Sequence, residues 1–311
     1  MEGLGDRDDR LARAEQLARR GALEAAAAAY RAVVAEAPTV EARIALGAIL
    51  VRLGRVGEAE AEFRAAAGGG APDALLGLAL CLRRRGAGDE ARRLLAAMPG
   101  DPPAQARVNR LVGALFPREA LHAYWSAPPD PENASARYAA APAERSAYLV
   151  ALLRRLAPPP ARVLEVGCNA GRNLAALHAA GYGPLAGVEI SPRALAEFGN
   201  AFPAARAATT VHCGPAEDVL PRLQTGAVDV VFTMAVLEHV HPDAEPLFAE
   251  MVRVAARCLL TIEDESHVTG RHFVRDYGAV FGALGCTAVL AEPTPAALGL
   301  GTGFVTRAFR V

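Results

Sequence analysis

The chain has 311 residues, with 33 basic and 34 acidic side chains, a formal net charge of −1 and 52% hydrophobic residues. That length suits two globular domains, the apolar content speaks against a disordered tail, and the near balance of charge speaks against a broadly basic nucleic-acid-binding protein. Every basic residue other than histidine is arginine, which removes any mechanism that needs a catalytic lysine.

From about Arg7 to Met98 the residues are mostly helix formers with apolar positions at helical spacing. Gly21, Gly54 and Gly86 each separate two helical patterns. Small and apolar residues recur at matching offsets: Ala14/Leu17, Gly47/Leu50 and Ala79/Leu82 before the glycines, Ala26/Tyr30, Ala59/Phe63 and Ala91/Leu95 after them. A period of about 33 with small residues at helix crossings resembles tetratricopeptide repeats. The segment 105–116 is expected to add a capping helix, so an all-α repeat domain is expected over 7–116. Such a domain offers a surface for a protein partner or a homodimer, or serves only as scaffold.

Residues 117–142 have a different texture. Pro128, Pro129 and Pro131 forbid a continuous helix, yet the segment holds Tyr124, the sole Trp125 and Tyr138. It reads as an ordered connector or lid.

An amphipathic helix is expected over 143–156, ended by Pro158-Pro-Pro160. A buried strand over 162–166 then runs through Gly167-Cys-Asn-Ala-Gly171 into a helix over 172–180. Glycines at both ends let this loop turn sharply and approach a ligand, with the amides of a helix N-terminus facing outward. The next strand, 185–190, carries Glu189, an acid able to accept hydrogen bonds from both hydroxyls of a ribose. Ser191-Pro192 opens a helix, a third strand is expected over 207–213, and 228–233 forms a fourth. Helix 243–254, strand 258–263, helix 273–283 and the strands 288–291 and 304–311 complete seven strands.

Glu165-x-Gly-Cys-x-x-Gly171, then Gly187-Val-Glu-Ile190, then Val236-Leu-Glu-His-Val240 resembles the class I S-adenosylmethionine-dependent methyltransferases. The resemblance covers about half the chain and implies an α/β domain over 143–311: a seven-stranded Rossmann-like sheet whose last strand lies antiparallel between the fifth and sixth. Asn169 stands where the family has its middle glycine, and asparagine is the residue that best replaces glycine at positive φ. A dinucleotide dehydrogenase would need glycine at Asn169 and Arg172 and finds neither.

The resemblance implies cofactor contacts from Glu165, Gly167, Asn169, Gly171, Glu189, Ile190 and Thr233, and around the adenine from Ala216, Glu217 and Asp218. It brings the ends of strands four and five to one mouth, where His239, Glu238 and Glu263 are the candidate catalytic groups. His239 or an acid would take the acceptor's proton, and the carboxylates would orient it or hold a cationic amine. Tyr124, Trp125, Tyr138, Glu265 and His267 are candidate substrate contacts. No metal is expected. The rival reading has a divalent ion on Glu238 and His239, resembling a Glu-x-x-Glu-His motif whose first Glu is replaced by Ala235.

The expected activity is methyl transfer from S-adenosylmethionine to an oxygen or nitrogen of a small molecule in specialised metabolism. Alternatives are methylation of a protein or carrier-bound substrate recruited by the repeats, and a ligand-binding scaffold without catalysis. Cys81, Cys168, Cys213, Cys258 and Cys286 are an odd, widely spaced set that suits reduced thiols. With no signal-peptide pattern and no run of eighteen apolar residues, the expected location is the cytoplasm, with no membrane partner.

Overall fold

A computed structural model describes residues 2–68, 70–87, 90–91, 94, 109, 113, 118–266 and 271–311. The capping helix expected over 105–116 falls almost wholly outside these residues, as do Leu95 and His267. The chain divides into two compact units, one within 1–116 and one within 117–311.

The first unit is all helical: α1 (Glu2–Arg19), α2 (Leu23–Glu36), α3 (Val40–Arg52), α4 (Val56–Ala67) and α5 (Pro72–Arg84). Alanine-rich faces let successive helices approach closely, and Phe63 of α4 is fully buried against backbone at Gly47 and Gly77. A Cβ at Gly77 would stand 2.3 Å from that ring, so α5 depends on glycine there.

The second unit begins with α6 (Arg118–Ser126), a 3-10 turn at Pro131–Asn133 and α7 (Ser135–Ala139), so the proline-rich stretch is broken helix. Then come α8 (Ala143–Leu156), β1 (Val163–Val166), α9 (Arg172–Ala179), β2 (Leu185–Glu189), α10 (Pro192–Ala201), α11 (Pro203–Ala207), β3 (Thr209–Cys213), α12 (Ala216–Val219), β4 (Val228–Met234), α13 (Pro246–Val254), β5 (Ala255–Asp264), α14 (Tyr277–Ala283), β6 (Thr287–Pro293) and β7 (Phe304–Arg310). The seven strands lie in the order β3-β2-β1-β4-β5-β7-β6. β7 pairs antiparallel with both β5 and β6, while the β1, β2, β3, β4 and β5 pairings among themselves are parallel. This is the Rossmann-like arrangement with the last strand inserted.

Helices cover both faces, so β1 is buried along its whole length. Leu149, Leu153, Leu174, Leu177 and Phe198 pack on one face with Val230 and Phe232. Phe248, Met251, Tyr277 and Phe281 pack on the other with Leu164, Val231 and Phe309. The parallel strands' carboxyl ends thus meet at one edge, where β1 and β4 lie side by side.

Two helices start later than the sequence suggests. α13 begins at Pro246 rather than near 243, because a proline ring fits a helix only in its first turn, and Pro242 starts a separate 3-10 turn, Pro242–Ala244. α14 begins at Tyr277 rather than near 273. The Phe273 N–H donates to the carbonyl of Glu238 at 2.7 Å and the Arg275 guanidinium donates to the carbonyls of Leu237, Val240 and Phe273, which holds 273–276 extended until Asp276 caps the helix.

Candidate functional site

At the carboxyl edge of the sheet lies a cavity of about 280 Å3, walled by the ends of β1, β2 and β4 and covered by α6 and α7. The loop after β1 forms its floor. Gly167 (φ 75°), Asn169 (φ 45°) and Gly171 (φ 70°) all take left-handed backbone, and Asn169 is the tolerated exception, its Oδ1 accepting from the N–H of Ala170 at 2.8 Å. The N–H groups of Gly167 and Cys168 tie the loop to the carbonyl of Val188.

Close approach to a ligand was the expected reason for Gly171, and the packing supplies another: a Cβ there would stand 2.2 Å from the ring of Phe198. Gly167 is likewise pressed against Val236, at 2.5 Å. The Cys168 sulfur packs beneath Gly187, and burial pushes its thiol well above the usual range, which keeps it protonated.

Glu189 lines the cavity at the end of β2, only 7% exposed. Its Oε2 accepts from the N–H of Asn169 and its Oε1 from the N–H of Ser191, both at 2.8 Å. Burial raises its pKa against these donors. Each oxygen keeps a lone pair for a further donor.

Glu165 also lines the cavity. The Nδ2 of Asn173 donates to its Oε1 at 2.8 Å, Ser146 supports Asn173 in turn, and its buried Oε2 has no partner. Burial pushes this carboxyl up to about 8. Beside it stands Arg172, whose Nε and Nη1 are buried without hydrogen-bond partners and whose pKa burial lowers. A carboxyl and a guanidinium with unmade bonds on one wall match the ammonium and carboxylate of an α-amino acid. Sequence reasoning treated Arg172 only as an absent glycine. Its place in the first helical turn after the glycine loop was the usable signal.

Ile190, Ala216 and Glu217 line the cavity at the β2–β3 side, and Asp218 does not. Glu217 is bonded at 2.8 Å to Nε2 of His122 from α6. Thr233 is fully buried within β4 and outside the wall.

At the β4 end, Ala235 takes a left-handed backbone (φ 58°) uncommon for a residue with a Cβ, and the chain then enters the 3-10 turn Leu237–His239. His239 lines the cavity, its ring 4.3 Å from that of Trp125 and 4.6 Å from that of His272. Its Nδ1 lies 2.8 Å from the carbonyl of Arg271, so Nδ1 carries the proton and Nε2 presents a lone pair. Burial, with His272 second, pushes its pKa down to about 3.

Glu238 and Glu263 stand elsewhere than on the rim pictured from sequence. Both are buried outside the cavity wall, Glu263 completely. Glu263 Oε2 accepts from the N–H groups of Val236 and Leu237 at 2.8 Å and so braces the turn that carries His239. Burial raises both carboxyls, and Glu263 further raises Glu238. Glu265 is taken up by a two-pronged bond to Arg307 at 2.7 and 2.8 Å. Among the described residues, no three His, Cys, Asp or Glu side chains converge as a metal site does.

Of the connector aromatics, Trp125 and Tyr138 line the cavity and Tyr124 lies behind them. The Tyr124 hydroxyl donates to Asp130 and accepts from Asn133 Nδ2, and Tyr138 donates to Asn133 Oδ1. The Arg271 guanidinium lies 4.1 Å over the Tyr124 ring and 3.7 Å from Asp130.

The model of a family described as a methyltransferase domain matches residues 164–257. No curated protein matches the chain. Among solved structures the chain is similar to a TehB-like SAM-dependent methyltransferase from Corynebacterium glutamicum, with 19% identity over 56% of this chain and 96% of that one and a TM-score of 0.42. It is similar to magnesium protoporphyrin IX methyltransferase from Synechocystis with bound SAH, at 16% identity over 60% and 89% of the two chains, TM-score 0.44. It is also similar to 1,6-didemethyltoxoflavin-N1-methyltransferase from Burkholderia thailandensis, at 18% identity over 57% and 90%, TM-score 0.43.

Proposed function

We propose, for this S-adenosylmethionine-dependent methyltransferase whose residues 164–257 form the matching domain, that the methyl group goes to an O–H or N–H of a small molecule and that His239 is the base. The observation that carries this reading is the imidazole on the cavity wall whose Nδ1 is tied to the Arg271 carbonyl, which leaves the lone pair on Nε2, 3.9 Å from the Glu238 carboxyl. The enclosing α6 and α7 support a small acceptor over a large one.

The cofactor supplies an activated methyl on a cationic sulfur. Glu189 is assigned to the ribose hydroxyls, Glu165 to the α-ammonium, Arg172 to the α-carboxylate, the Gly167–Gly171 loop to the amino-acid end, and Ile190, Ala216 and Glu217 to the adenine side. The unmade bonds of Glu165 and Arg172 support that fit. With the cofactor bound, the methyl would pass from its sulfur to the acceptor's heteroatom, and Nε2 of His239 would take the acceptor's proton. The protein's task is alignment and proton removal.

Glu189→Ala is expected to weaken S-adenosylhomocysteine binding by about tenfold or more, the size of one lost bond to a charged group. Calorimetric titration measures it, and an unchanged Kd defeats the ribose assignment.

Glu165 provides a pH test. With its carboxyl near 8 before ligand binds, it is protonated at pH 7, and an ammonium placed beside it favours the charged form. Binding therefore releases a proton, and affinity rises with pH up to about 8. Titrations at pH 7 in buffers of different ionisation enthalpy are expected to reveal that release. A binding heat independent of buffer, or release that persists in Glu165→Gln, contradicts it.

The helical unit supports a second element of the reading, a tetratricopeptide-like array that recruits a partner. Gly21, Gly54 and Gly86 recur in left-handed backbone (φ 76°, 76° and 85°) after α1, α3 and α5, in register with the repeat. Deleting residues 1–116 and comparing activity on a free acceptor separates scaffold from recruitment.

A further inference from the structure

The acceptor's chemical class can be narrowed by subtracting from the cavity wall what the cofactor uses, an argument that rests on the methyl-transfer reading above. Glu165, Arg172 and Glu189 are then spoken for. The wall that remains at the β4 end includes Trp125, Tyr138, Met234, His239, Val240 and His241. Aromatic and apolar surface dominates it, and Nε2 of His239 is a proton acceptor on it.

We propose that the acceptor is an uncharged, flat aromatic molecule bearing an O–H or N–H, lying against Trp125 and Tyr138 with that hydrogen directed at Nε2 of His239. Aromatic rings recognise a planar ligand by area and by offset or edge contacts. The Trp125 and His239 rings already meet at 4.3 Å with a 45° tilt, which makes one continuous aromatic corner. The indole N–H of Trp125 is buried without a hydrogen-bond partner, so the ring meets the cavity through its apolar surface.

Charge argues against the ionic alternatives. Of the acids that were candidates to hold an ammonium, Glu263 is fully buried beneath the turn, Glu265 is bound by Arg307, and Glu238, 3.9 Å from Nε2 of His239, is buried with its carboxyl pushed well up by burial and by Glu263. A cationic acceptor would meet the sulfonium, Arg145 and Arg172, while the carboxylates on the wall are engaged elsewhere, Glu165 and Glu189 by assignment to the cofactor and Glu217 by His122. A carboxylate acceptor finds no dedicated cation at the β4 end, since Arg145 donates to the carbonyls of Leu298 and Gly299, Arg172 is assigned to the cofactor and Arg193 stands on α10 at the β2 side. His239 itself is held neutral by burial, so it attracts neither sign.

Three probes of one size test this on the full-length protein saturated with S-adenosylhomocysteine: 2-naphthol, 2-naphthylmethylammonium and 2-naphthoate, each titrated by calorimetry. The expected result is that 2-naphthol binds at least about tenfold more tightly than either ion. Trp125→Ala is expected to abolish that binding and Trp125→Phe to retain most of it, with S-adenosylhomocysteine affinity unchanged in both. Equal or tighter binding of either ion overturns the proposal, as does 2-naphthol binding that survives Trp125→Ala, or no 2-naphthol binding at millimolar concentration. If S-adenosylhomocysteine itself fails to bind, the methyl-transfer reading falls first and this inference with it. If it binds and 2-naphthol does not, only the inference falls.

Discussion

Gly171→Val is expected to lower the stability of the C-terminal unit by about 3–5 kcal/mol, the sum of left-handed backbone strain and overpacking. The residue sits at φ 70°, where a β-branched side chain is strained before it meets any neighbour. Its Cβ would then stand 2.2 Å from the Phe198 ring, and Phe198 is fully buried against Leu174 and Leu177 with no room to retreat. Loss of cofactor binding follows from loss of the loop. Thermal denaturation of the variant without ligand measures the effect directly. A melting temperature equal to the parent's, with only ligand affinity reduced, would return the glycine to the ligand-approach role that its motif first suggests.

The second large effect is kinetic. His239→Ala is expected to cut turnover by up to about a hundredfold, the lower end of the usual worth of a positioned general base because burial weakens this imidazole as a base, while S-adenosylhomocysteine affinity stays within about twofold. Affinity is spared because the residues assigned to the cofactor stand on β1, β2, α9, α12 and the loops after β1 and β2, and His239 stands on the turn after β4. The pH profile carries its own signature. With a pKa near 3, the imidazole is a free base at every pH above about 4, so the parent's kcat/KM has no inflection near 6.5 from this group and falls only in acid. A variant that turns over at the parent's rate removes His239 from the chemistry. A parent profile that loses activity through an ordinary histidine pKa shows the ring to be solvated during turnover.

Local chemistry made much of this site legible before any coordinates. Asparagine in place of the middle glycine pointed to positive φ, and Asn169 adopts it. An acid closing the second strand pointed to the cavity edge, and Glu189 lines it. The prolines of 117–142 together with its aromatics pointed to ordered, broken structure, and α6, a 3-10 turn and α7 follow. What stayed hidden depends on neighbours far apart in the chain. Whether Glu238 and Glu263 face solvent is decided by β7 lying across β5 and by the amides of Val236 and Leu237 turning onto Glu263. Nothing in the residue types near 263 reports that. The reason for Gly171 likewise lies 27 residues away, in a phenylalanine.

Arg271 ties two of these parts together. Its guanidinium clasps Tyr124 and Asp130 in the segment that covers the cavity, and its carbonyl takes the Nδ1 proton of His239. Enclosure and reactivity are therefore not independent settings. When α6 and its following loop are in place, the same residue that receives them fixes which imidazole nitrogen is bare. The sulfonium is an indiscriminate alkylating agent, and bulk water is the most abundant nucleophile it could meet. A base packed against the segment that covers the cavity places proton removal in the enclosed space rather than in bulk water.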